Sequence, residues 1–371
     1  MVADLPKLAD PAQLERDLLD SRARATRATA GLDGERLLGP RLAIVNPPLW
    51  EIGHVAWFQE RWCLRLRADG SLGDSILPGA DALYDSSAVA HGTRWDLPLP
   101  DLQATHAYGA RVLELTRERL SREPGSEALQ YFVRLATFHE DMHAEAFLYT
   151  MQTLGYPRPD FDFRPADSQS KEKGDVESAG GAFMLGAVPA DGFVFDNEKW
   201  AHPVRLAAFR IARAPVSNAE YLDFVEQGGA APRYWKMQDG AWAERRFDRW
   251  LRLEPDEPVR HVSWDEARAF CAWAKRRLPT EAEWERAASA GEIPRAAGLW
   301  EWTASSFAPY PGFVPDPYKE YSAPWFGTHK VLRGASFATP ARLARPTFRN
   351  FYTPDRADIF AGFRTCAIGR A

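Results

Sequence analysis

His139 and His143 stand four residues apart in Phe138-His139-Glu140-Asp141-Met142-His143-Ala144-Glu145. Four residues are about one helical turn, so both imidazoles fall on one helix face, roughly 6 Å apart along the axis. Imidazoles at that separation can chelate one metal ion, and the chain has only eight histidines to place. The same five residues also satisfy H-E-x-x-H, in which two histidines bind zinc and Glu140 activates a water. The extended zinc-protease form is absent, because Ala146 stands where glycine is required and Tyr149 where the third histidine belongs. A downstream glutamate ligand for zinc would have to be Glu172 or Glu177, both in a polar stretch.

The elements that must position this pair are helical. Ala12 to Thr29 has helical periodicity, Pro47-Pro48 opens a second helix over Leu49 to Ala68, and a third runs from Leu102 to Arg122. The fourth, Glu127 to Leu154, carries the histidines and is closed by Gly155 and Pro157. Four such helices predict a bundle over residues 1–156, and bundle interiors hold metal sites built from facing helices. Gly70 to Pro100 reads as a long irregular connection, a length that is often functional. Residues 157–180 carry Pro, Asp, Ser and Lys, including Ser168-Gln169-Ser170-Lys171-Glu172-Lys173-Gly174-Asp175, and read as a polar linker.

Residues 181–371 have a different texture. Short strand-like runs, Val204 to Leu206 and Phe209 to Ile211, alternate with turns. Helical patterns cover Asn218 to Glu226 and Trp264 to Arg277, and another begins at Thr280. Ten of the fourteen tryptophans follow residue 199, and large aromatics can hold a loop-rich domain together. This predicts an irregular α+β domain.

Composition narrows the function classes. The charge is 46 basic against 51 acidic residues, net −5, which suggests neither a nucleic-acid nor a membrane partner. No apolar run is long enough to span a bilayer. Met1 to Pro6 lacks a basic segment followed by an apolar core, and Cys63, Cys271 and Cys366 are isolated, so a cytoplasmic location is expected.

Several segments of the second half resemble the formylglycine-generating-enzyme (sulfatase-modifying-factor) fold, which is C-type-lectin-like. They include Phe183-Met184-Leu185-Gly186, Pro215-Val216-Ser217-Asn218-Ala219-Glu220-Tyr221, Arg277-Leu278-Pro279-Thr280-Glu281, Leu299-Trp300-Glu301-Trp302-Thr303, Val331-Leu332-Arg333-Gly334 and Ala361-Gly362-Phe363-Arg364. The first half resembles a DinB-type four-helix bundle. In this order the pair is similar to the ergothioneine-biosynthesis sulfoxide synthases, with a match over nearly the whole chain. Asn46-Pro47-Pro48-Leu49-Trp50-Glu51-Ile52-Gly53-His54, Tyr84-Asp85-Ser86-Ser87-Ala88-Val89-Ala90-His91 and Trp95-Asp96-Leu97-Pro98-Leu99-Pro100 look most like the selenoneine synthase branch. Ser86-Ser87-Ala88 stands where some sulfoxide synthases carry a tyrosine pair, and Met142 where many have glutamine.

The resemblance implies a mononuclear non-haem iron(II) oxygenase with His54, His139 and His143 as ligands. Its substrates would be hercynine (Nα-trimethylhistidine), O2 and a selenosugar, or in the alternative γ-glutamylcysteine or cysteine. Glu140 and Glu145 are candidates to orient ligand N–H groups. Phe348 to Tyr352 resembles the segment that contacts hercynine, with Asn350 matching a contacting asparagine. An aromatic cage suits a trimethylammonium group, and Phe351, Trp325 and Phe326 are its candidates. Among tyrosines that could donate a proton (Tyr310, Tyr318, Tyr321 and Tyr352), Tyr321 and Tyr352 are taken forward as catalytic candidates. Arg94 is a candidate contact for an anionic or hydroxyl-rich second substrate. Zinc hydrolysis through H-E-x-x-H and a non-catalytic binding module are the competing classes.

Overall fold

The computed structural model describes residues 10–161 and 173–369, which form two compact units. In the first unit, α1 (Pro11–Thr29), α2 (Pro48–Glu60), α3 (Ala80–Tyr84), α4 (Leu102–Arg122) and α5 (Glu127–Leu154) follow in order. The long helices begin where sequence chemistry supplies a cap. Asp10 accepts from the Ala12 N–H, Asp101 from Ala104, and Ser126 from Leu129. Gly155 ends α5 at φ 67°, a left-handed conformation that glycine adopts without a Cβ clash.

α1 packs on α5, and α2 packs on α4, α5 and α3. Twelve of the thirteen residues of α2 are buried, so it has no solvent face and is the central helix of this unit. It is shorter than the periodicity predicts. At Arg61 it loosens into a single π-helical turn that ends at Arg65, where the chain leaves for α3. α3 in turn occupies the connection read as irregular.

The second unit contains strands β1 (Asp175–Ser178), β2 (Gly181–Leu185), β3 (His202–Leu206), β4 (Phe209–Ala212), β5 (Trp235–Gln238), β6 (Ala241–Arg246), β7 (Arg249–Arg252), β8 (Arg276–Arg277), β9 (Leu299–Ser306), β10 (Lys330–Ala335), β11 (Asn350–Tyr352), β12 (Ala361–Gly362) and β13 (Cys366–Ala367). They assemble among the described residues into two four-stranded sheets, β1-β4-β13-β8 and β11-β10-β9-β12, a hairpin β2-β3 and a three-stranded meander β5-β6-β7. Helices α6 (Asn218–Glu226), α7 (Trp264–Trp273) and α8 (Glu281–Ser289) each open with a Ser or Thr cap answered by a Glu three residues on.

Two readings of the sequence are corrected here. Residues 175–178, taken as part of a linker, form β1, whose Glu177 pairs with Arg210 of β4; Glu172 lies outside the described residues. The helix expected to reach Arg277 stops at Trp273, because Lys275 turns to φ 53° and Arg276 and Arg277 join a sheet. Trp284, Trp300 and Trp302 are core, with the Trp284 indole N–H on Glu301 and that of Trp302 on the Val262 carbonyl. Three buried arginines are matched by carboxylates. Arg333 and Arg349 share Glu281, and Arg364 pairs with Glu301. Each of these three buried charges is thereby answered by a carboxylate, in a unit with little regular structure.

Candidate metal centre

His54 of α2 meets His139 and His143 of α5. Ligand nitrogens of the three rings all lie within 4.8 Å of one another. The Nε2 atoms of His139 and His143 are 3.2 Å apart. With metal–nitrogen bonds of about 2.0–2.1 Å, two ligands at a right angle would sit about 3.0 Å apart and at the tetrahedral angle about 3.4 Å apart, so the observed spacing fits one shared ion.

The outward nitrogens are already committed. His54 Nδ1 lies 2.8 Å from the Tyr84 carbonyl oxygen, and His143 Nδ1 lies 2.5 Å from Glu51 Oε1. In a neutral ring, an acceptor at Nδ1 assigns the proton to that atom and leaves Nε2 with its lone pair for a metal. His139 is held differently, stacked on Phe58 at a centroid distance of 3.6 Å and an interplanar angle of 7°. Burial first, and then the neighbouring imidazole of His143, push His54 and His139 well below the usual histidine range. Both rings are therefore neutral at physiological pH, the form a metal requires. The donor set fits a mid-series divalent ion with open positions.

The short helix α3 orients this site. Three side chains of α2 donate to it: the Trp50 indole to Leu83 O at 2.6 Å, His54 to Tyr84 O, and the Trp57 indole to Asp81 Oδ1 at 2.7 Å. Asp81 is itself held by both Nη atoms of Arg65, at 2.8 and 2.7 Å. Gly53 makes the approach possible, because a Cβ there would lie 2.3 Å from the Tyr84 ring.

The expected roles of neighbouring residues change in the structure. Glu140 turns to α1, where its carboxylate takes the Arg22 Nε–H at 2.5 Å. It is 1% exposed, so H-E-x-x-H does not present it as a water-activating base. The carboxylate that holds one of the three rings, His143, is Glu51, which the sequence reading missed. Its signal was there, since Glu51 and His54 are three apart on α2 and share a face. Arg94, expected to meet substrate, is buried. Its Nη1 donates to Asn46 Oδ1 at 2.6 Å, and its guanidinium lies 3.9 Å over the Trp50 ring.

The remaining candidates gather in the second unit around β11. In register, Phe351 sits opposite Val331, and Tyr352 opposite Lys330. The Phe351 ring stacks on Phe307 at 4.1 Å, and Phe307 also meets Phe326 at 4.8 Å. Tyr321 and His329 present to Phe351 at 5.7 and 5.8 Å, and Trp325 meets His329 at 5.3 Å. Trp325 is 43% exposed. Asn350 Oδ1 accepts the Phe351 N–H at 2.9 Å, a local turn bond that occupies part of its amide. Burial first, then Glu198 and Asp196, raise Tyr321 well above the usual phenol range, so its hydroxyl keeps its proton. Tyr352 lies under the Arg356 guanidinium at 4.9 Å.

Residues 17–147 match the DinB superfamily, and residues 161–296 and 295–368 match the sulfatase-modifying factor enzyme 1-like domain. The class is therefore a helical DinB-type domain with a three-histidine site, followed by an α+β domain of the sulfatase-modifying-factor type. A hercynine oxygenase of Mycolicibacterium thermoresistibile is 32% identical over 95% of this chain and 94% of its own length. One from Mycobacterium tuberculosis is 32% identical over 96% of this chain and 99% of its own. A formylglycine-generating enzyme of Streptomyces coelicolor is 28% identical over 55% of this chain and 91% of its own. This chain belongs to the hercynine oxygenase family and is an enzyme of the oxygenase class.

Proposed function

We propose that this enzyme uses iron(II) and O2 to join the imidazole of hercynine to a chalcogen donor, with a thiol such as γ-glutamylcysteine or cysteine as the donor. The observation that carries this is the three-histidine cluster, within 4.8 Å, in a chain that aligns end to end with hercynine oxygenases. For a sulfur donor the reaction balances: a C–H and an S–H bond are lost, a C–S bond forms, one oxygen atom of O2 ends on sulfur and the other leaves as water. Iron and O2 supply the oxidising power that side chains lack.

The chain's own part is positional. His54, His139 and His143 are proposed to hold iron, with Tyr84 O and Glu51 keeping two Nδ1 protons in place. In the second unit, Asn350, Phe351, Trp325 and Phe326 are proposed to receive hercynine, because aromatic faces attract a trimethylammonium group that has no N–H to donate. Tyr321 and Tyr352 are proposed proton donors. A selenosugar donor is the second reading, favoured by the Asn46 to His54, Tyr84 to His91 and Trp95 to Pro100 segments.

The test is a competition. Protein reconstituted with iron receives hercynine and O2 together with γ-glutamylcysteine, cysteine or a selenosugar, and products are read by mass. Sulfoxide from a thiol is the expected product. Turnover with the selenosugar alone selects the second reading, and an iron-loaded protein that consumes O2 with none of them refutes both.

A further inference from the structure

Arg94 is 8% exposed, and its hydrogen bonds run to neutral acceptors, Asn46 Oδ1 and the Ser86 and Val89 carbonyls, with Glu51 the carboxylate whose charge offsets part of its burial. Burying a guanidinium costs hydration that Glu51 offsets only in part, so its position calls for a reason. Its contacts supply one. The guanidinium lies over the Trp50 indole at 3.9 Å. The same indole stacks on His54, with centroids 4.8 Å apart and planes 10° from parallel. His54 has one hydrogen bond, to Tyr84 O, which fixes one atom of the ring; its plane is set by packing, and of the rings around it Trp50 lies nearest to parallel, with Trp57 stacked at 5.8 Å and 27°. Trp50 is tethered at Nε1 to Leu83 O, and Arg94 is tethered to Asn46 Oδ1 at 2.6 Å and more loosely to the Val89 carbonyl at 3.3 Å.

We infer that Arg94 is a positioning residue of the metal centre, acting through Trp50 to set the plane of the His54 imidazole. This rests on His54, His139 and His143 forming a metal site. It stands in place of the substrate contact expected from sequence, since the Arg94 side chain is buried and both of its Nη atoms are already engaged within this unit. A cation over an indole suits the role, because its attraction for the ring face adds to packing without requiring a geometry that water could satisfy instead.

Cobalt(II) binding tests this without turnover, read by calorimetry and by the visible d–d spectrum, which reports ligand geometry. Arg94→Ala is expected to weaken cobalt binding by about 10–100-fold, the usual effect of removing a residue that orients a metal ligand, and to change the spectrum. Arg94→Lys, which keeps a cation near Trp50, is expected to restore most of the affinity. Arg94→Met fills the same volume without charge and is expected to behave like Arg94→Ala; it replaces that variant if alanine prevents folding. Wild-type affinity and spectrum in Arg94→Ala or Arg94→Met, or a change confined to the KM of a second substrate, would overturn the inference. Failure of the metal-site premise is distinguishable, because the unaltered protein would then bind no cobalt at the histidines, and failure of the proposed donor chemistry would leave cobalt binding in the unaltered protein intact.

Discussion

Replacing Gly53 with alanine tests whether the contact between α2 and α3 positions the proposed metal ligands. In an exposed helix this change stabilises by up to about 1 kcal/mol, because glycine pays more backbone entropy. Here the sign reverses. The new Cβ would lie 2.3 Å from Tyr84 Cε1 and Cζ and 2.5 Å from its hydroxyl oxygen. Carbon atoms rest at about 3.5–4.0 Å, so the ring must retreat by more than 1 Å. Tyr84 is fully buried and has no solvent to retreat into. Overpacking of this kind costs about 1–3 kcal/mol, which exceeds the helix gain. The retreat also moves the residue whose carbonyl accepts the His54 Nδ1 proton, so cobalt affinity should fall by about 10–100-fold. Urea denaturation of the metal-free protein and a cobalt titration measure the two effects. Adding Tyr84→Leu to Gly53→Ala should leave the double variant no less stable than Tyr84→Leu alone, since the clash is then gone. Wild-type stability and affinity in the single variant would refute the proposed role of this contact.

Two further outcomes are expected. Glu140→Ala should lose about 2–3 kcal/mol of stability while cobalt affinity stays unchanged, because Glu140 serves Arg22 and not the metal; the loss is below that of a fully buried pair since Arg22 keeps some water contact. Wild-type stability with lost metal-dependent turnover would instead return Glu140 to the role of a base. The second outcome concerns His261, which burial and then Arg260 lower to about 3 in the folded chain. The unfolded chain, titrating near 6.5, binds more protons between those values, so stability must fall as pH drops below about 6.5, by about 2 kcal/mol at pH 5. His261 sits at φ 60°, which asparagine tolerates, so His261→Asn should flatten the change in urea midpoint between pH 7 and 5. An equally steep change in that variant would assign the pH dependence elsewhere.

Much of the first unit was legible because helix periodicity and caps are local. The predicted spans of α4 and α5 coincide with the observed ones, and the His139/His143 pair follows from one helical turn. Where local signals competed, the sequence reading overshot. α2 unwinds at Arg61 and α7 stops at Trp273, and each ending is set by what the chain must reach next.

By itself the sequence determined two domains of different texture, one histidine pair spaced for chelation and, through resemblance, a third histidine to join it. Tertiary structure alone decided which groups hold those rings. Tyr84 O, Glu51, Trp50 and Arg94 come from segments 30 to 92 residues from the ring or indole they contact, apart from Trp50 on His54 within α2. The physical reason is that a hydrogen bond to a backbone carbonyl, or a stack between two rings, depends on how α3 lies against α2. That placement is set by packing over the whole bundle, including the absence of a single Cβ at Gly53, and no periodicity in the chain encodes it.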